Sequence, residues 1–83
     1  MPALIPKGAT NASADDTLTG SAVTYGYFGA PGGSFDLYRV ASDGSEVPLG
    51  IQVSSSRPSV NVTATGTVRW KRTGGYDCGL DKN

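Results

Sequence analysis

The 83-residue chain has no histidine, one cysteine, one tryptophan, one glutamate and one glutamine. Without histidine, neither a Cys–His nor a Ser–His–Asp nucleophile can be assembled, and the common zinc ligand sets are excluded. The lone Cys78 has no partner for an intrachain disulfide, so no covalent staple supports the core. Large apolar residues are scarce too: Leu, Ile, Val and Phe together number sixteen. No apolar run approaches the roughly 20 residues that cross a bilayer as a helix. Residues 1–7 lack a charged stretch followed by an apolar one, so no secretory signal is expected and the chain reads as made in a cytoplasm. A net charge of zero argues against disorder driven by self-repulsion.

What is abundant points to strands. Gly, Ser and Thr supply 29 residues, and Val, Ile and Thr together 17. That composition disfavours long helices and favours a single turn-rich, all-β domain. Residues 1–17 hold only Leu4 and Ile5 as sizeable apolar groups and do not alternate, which predicts an extended N-terminal arm. Residues 18–72 predict the folded domain. Val23, Tyr25 and Tyr27 alternate with smaller residues, and residues 29–34 form a Gly/Pro breaker. Phe35, Leu37 and Arg39 share one face of the next segment, with Asp36, Tyr38 and Val40 on the other. Asp43-Gly44 then signals a hairpin. Val47, Leu49, Ile51 and Val53 alternate without a gap, while Pro48 predicts an edge strand or a bulge at 48–50. Val60, Val62 and Ala64, then Val68 and Trp70, complete about five or six strands of a small antiparallel β-sandwich or barrel. Residues 73–83 read as a Gly-rich tail.

Charge is unevenly placed. Residues 1–50 carry a net −3 and residues 51–83 a net +3, so the halves are expected to attract, within the fold or between copies. Arg69-Trp70-Lys71-Arg72 has the mixture of cations and aromatic that a single-stranded nucleic-acid barrel uses, but with Val68 and Trp70 facing inward the cations are only the wet face of a strand. Asp15-Asp16 is the one adjacent carboxylate pair, and neighbours on an extended chain point apart, so no acid–base pair is expected. Gly29–Gly33 lacks the helix and GK[ST] of a phosphate loop. No enzyme activity, cofactor or metal is expected. With so small a core and no staple, support from self-association or from docking on a larger surface is expected.

The short Ala/Ser/Thr/Asp arm, the Tyr-rich first strand, Phe35-Asp36-Leu37-Tyr38-Arg39-Val40, the Asp43-Gly44 hairpin and the run from Val62 to Trp70 together resemble small β-sandwich virion proteins of tailed bacteriophages, of the capsid decoration or cement type. The resemblance implies a virion protein that binds the major capsid protein, or another virion protein, and bridges neighbouring shell subunits. In that setting Leu4, Ile5 and Lys7 are expected to reach across a subunit boundary, with Tyr25, Tyr27 and Tyr38 as anchors. Deleting residues 2–12 is then expected to abolish docking and leave the sandwich folded. Alternatives are a phage tail accessory protein and a receptor- or carbohydrate-binding module that uses exposed tyrosines.

Overall fold

The described residues of the computed structural model form eight strands, and on those at Ser13–Thr19, Ser34–Val40 and Thr65–Gly74 a two-residue period decides which side is dry. The structure describes residues 3–6, 8, 13–75 and 77–82. The strands are β1 (Ala3–Ile5), β2 (Ser13–Thr19), β3 (Val23–Gly29), β4 (Ser34–Val40), β5 (Glu46–Ser54), β6 (Ser59–Val62), β7 (Thr65–Gly74) and β8 (Cys78–Lys82). They form two antiparallel four-stranded sheets, ordered β1-β8-β3-β6 and β2-β7-β4-β5. The expected all-β class holds, as two packed sheets with eight strands rather than five or six.

Every strand contributes to one core. Ile5, Leu18, Tyr25, Phe35, Leu37, Val53, Val62, Val68, Trp70, Cys78 and Leu80 are all buried in a single cluster. On β7, Val68 and Trp70 face inward while Arg69 and Lys71 stay outside, as the alternation predicts. On β4, Phe35 and Leu37 are the inward pair. The Asp43-Gly44 turn closes the β4–β5 hairpin. Gly44 takes the positive φ of 87°, and the Asp43 carboxylate accepts the Ser45 N–H at 2.9 Å.

The two chain ends depart from expectation. The segment predicted as an extended arm is built into both sheets. β1 pairs with β8, and Ile5 is buried in the core, while β2 pairs with β7 along its full length from Ser13 to Thr19. The inward positions of β2 are Ala14, Asp16 and Leu18, so only Leu18 offers a large apolar side chain and the alternation is faint in the sequence. The expected Gly-rich tail is likewise structured, since β8 runs between β1 and β3 and buries Cys78, Gly79 and Leu80. Gly79 is required there: a Cβ would lie 2.4 Å from the Phe28 ring and 2.5 Å from the Ile5 carbonyl oxygen.

β5 realises both consequences expected of Pro48. It is an edge strand, and its pairing with β4 jumps from Leu37↔Ile51 to Tyr38↔Pro48, leaving Leu49 and Gly50 as a bulge with Gly50 at φ 72°. The bulge breaks the unbroken apolar face expected from Val47 to Val53. Val53 is buried and Ile51 packs against the core, whereas Val47 and Leu49 are 45 % and 38 % exposed.

Because β1 is part of the core, Ile5→Ala should lower the unfolding free energy by about 2–5 kcal/mol in urea denaturation. Removing residues 2–12 should unfold the sandwich rather than spare it. A loss below about 0.5 kcal/mol for Ile5→Ala, the range of surface changes, would contradict the packing of β1.

Candidate functional site

Three surfaces collect the polar chemistry of the molecule. The first is the outer face of the β2-β7-β4-β5 sheet. Asp15 on β2 stands directly opposite Arg69 on β7, and the guanidinium grips its carboxylate through two bonds, Nε–Oδ1 at 2.6 Å and Nη2–Oδ2 at 3.0 Å. The third guanidinium nitrogen reaches Glu46 Oε2 at 2.6 Å, and Lys71 Nζ takes Glu46 Oε1 at 2.5 Å. Lys71 also lies 5.3 Å from the centre of the Tyr38 ring. With Leu4, Ile5, Pro6, Ser13 and Ala14, these four charges bound an open cleft of about 510 Å³.

The second is a polar tie between the sheets. Asp16, its side chain 10 % exposed, points inward from β2. It accepts the Tyr25 hydroxyl of β3 at 2.6 Å and the Lys82 ammonium of β8 at 2.8 Å. Burial raises the Asp16 carboxyl, but the bonds from Lys82 and Tyr25 outweigh it and hold the group below its ordinary value. Burial, and next the hydrogen bond to Asp16, push the Tyr25 phenol upward. The bonds from Arg69 to Asp15, and from Lys71 and then Arg69 to Glu46, lower those two carboxyls, and the same Asp15 and Glu46 partners raise Arg69. Every one of these shifts leads away from neutrality, the reverse of what a proton-transferring group needs.

The third surface is the β4–β5 edge. Asp36, Tyr38, Pro48 and Gln52 occupy its outer side, and Gln52 Nε2 donates to Asp36 Oδ1 at 3.1 Å. Together with Leu37, Gly50 and Ile51 they line a hollow of about 230 Å³. Val47, directly opposite exposed Arg39, lies on the other side of the same edge.

The docking residues expected from the sequence do not converge. Tyr25 is fully buried against Trp70 and Ile5 is buried in the core, so neither is available as a surface anchor. Leu4 is half-buried at the cleft. The Tyr27 hydroxyl is engaged at home, donating to the Ala30 carbonyl and accepting the Gly33 N–H at 3.1 Å. Tyr38 alone among the tyrosines named as anchors stands beside an open hollow, and Lys7 lies outside the described residues. Alternation concealed Val47 and Leu49, because it places them inside.

The charged halves meet within the fold. Asp15–Arg69, Glu46–Arg69, Glu46–Lys71 and Asp16–Lys82 each join the acidic first half to the basic second half. The cation-rich run 69–72 therefore spends its charge internally. Arg72 donates to the carbonyls of Pro6 and Cys78 at 3.3 and 3.1 Å, and Trp70 is wholly buried, which leaves no stacking platform there for a nucleobase.

Among the described residues no helix is long and apolar enough to cross a membrane, and no three His, Cys, Asp or Glu side chains gather as metal ligands. No family model matches this chain, and neither a curated protein nor a solved structure does.

The Asp16 tie predicts a pH dependence. Its carboxyl sits lower in the folded chain than the ordinary 3.8, so the folded state holds fewer protons there. Its stabilisation is complete above that value and is lost as pH falls through the folded one. Unfolding free energy should stay level from pH 7 to about 5 and drop below about pH 4, and Asp16→Asn should flatten that acid limb. An acid limb of unchanged steepness in Asp16→Asn would show that the carboxylate is not the linked group.

Proposed function

We propose that this chain is a non-enzymatic virion structural protein of the decoration or cement type, which binds the assembled capsid of a tailed bacteriophage and bridges neighbouring capsid subunits. The observation that carries the reading is the pair Val47 and Leu49, exposed on an edge strand of a protein whose ion pairs are spent within its own fold. Such a surface docks by apolar contact and shape rather than by charge steering. The two-sheet architecture accords with the resemblance to small β-sandwich virion proteins.

The mechanism follows from multiplicity. A shell repeats one docking position many times, so each copy needs only a modest interface. A protein that spans two shell subunits binds the assembled state alone and stabilises it by linkage. The anchor lies on the β4–β5 edge, with Arg39 beside Val47, and not on the chain ends, which serve the core.

The alternative reading, a tail accessory or a receptor- or carbohydrate-binding module, is favoured by one feature, the hollow beside Tyr38. Copy number separates the two. Quantitative mass spectrometry of gradient-purified particles from the source culture should count hundreds of copies each. Six to a few dozen copies would assign the chain to a tail or vertex, and absence from all particles would overturn the virion reading. The double variant Val47→Asp/Leu49→Asp should keep its circular dichroism and melting temperature and lose particle affinity by about tenfold or more. Undiminished binding would remove the edge as the docking surface.

A further inference from the structure

The β4–β5 bulge opens a hollow whose walls differ in chemistry. Two residues, Leu49 and Gly50, are left out of the ladder between the Leu37↔Ile51 and Tyr38↔Pro48 pairs. Their peptide groups are released from pairing with β4. Gly50 has no heavy atom within 4 Å of where a Cβ would stand, so the hollow is open above it. One wall is formed by Pro48 and, directly across from it, the Tyr38 ring, whose centre also lies 5.3 Å from the Lys71 ammonium. The other is polar: the Gln52 amide donates to the Asp36 carboxylate at 3.1 Å. A carboxylate so engaged keeps acceptor capacity, and the amide keeps a carbonyl oxygen and an N–H.

We propose that this hollow is a binding site for a neutral pyranose sugar. A pyranose presents an aliphatic C–H face to an aromatic ring and a rim of adjacent hydroxyls that pair two at a time with a carboxylate and an amide. The Asp36 charge disfavours anionic ligands at the polar wall, and the carboxylate–amide pair disfavours wholly apolar ones, since each would be desolvated without a partner. Ring, carboxylate and amide stand around one hollow, a combination matched to a sugar's C–H face and hydroxyl rim. The site is independent of the particle-docking reading, because Val47 lies on the opposite side of the edge from Asp36, Tyr38 and Gln52.

The test uses the isolated full chain. Amide chemical shifts are followed by ¹H–¹⁵N NMR during titration with four methyl glycosides, those of glucose, mannose, galactose and N-acetylglucosamine, into the millimolar range. The expected result is saturable shifts for at least one sugar, centred on Asp36, Tyr38, Gly50 and Gln52. Tyr38→Ala and Asp36→Asn should each weaken that binding by about tenfold, whereas Tyr38→Phe, which keeps the ring, should stay within about twofold. Val47→Asp alone, on the other side of the edge, should bind the sugar as the parent does, so the two readings fail separately. No saturable shift with any of the four sugars, shifts centred elsewhere, or binding that survives both Tyr38→Ala and Asp36→Asn would overturn the site.

Discussion

Trp70 and Tyr25 meet edge to face across the sandwich, ring centres 5.1 Å apart and both fully buried, and the rest of the molecule is arranged around that contact. Trp70 belongs to one sheet and Tyr25 to the other, so the pair sets the spacing between layers in a core with few large side chains. Such a pair contributes about 0.5–1.5 kcal/mol beyond its buried area. The Tyr25 hydroxyl cannot be buried unpartnered without cost, and Asp16 supplies the acceptor. Asp16 in turn draws in Lys82, which draws β8 against the opposite sheet. The aromatic contact, a nearly buried carboxylate and an ion pair from β8 thus form one connected tie between the sheets.

The same economy governs the outer charges. An acidic first half and a basic second half fold so that three ion pairs join them on the outer face, and exposed pairs of this kind contribute little stability each. Their consequence is chiefly one of specificity. Carboxylates and cations that hold one another offer little field to a charged partner. Both proposed sites lie on the β4–β5 edge, where Pro48 and the bulge also blunt the strand against indiscriminate edge pairing.

Much of the sandwich was legible from residue alternation. β3, β4 and β7 are visible because large inward side chains recur at every second residue, and Asp43-Gly44 marks its turn. β1 and β2 were not legible. Three residues are too few to show a period, and β2 turns Ala14, Asp16 and Leu18 inward, a set that resembles a solvated loop until Tyr25 and Lys82 are placed beside Asp16. β8 was hidden by Gly79, which looks like a breaker but is the one residue that lets Phe28 lie across the strand. The exposure of Val47 and Leu49 was hidden for a related reason. Pro48 announced a bulge, yet periodicity alone cannot say which apolar residues a bulge moves out of the core.

The most direct test of this account is a double-mutant cycle on Tyr25→Phe and Asp16→Ala, with unfolding free energies measured by urea denaturation at pH 7. If the hydroxyl and the carboxylate form the tie between sheets, the two changes share one interaction and the cycle should return a coupling of about 1 kcal/mol or more. Two losses that add to within about 0.3 kcal/mol would mean that the layers are held by apolar packing alone, contradicting the role assigned to Asp16.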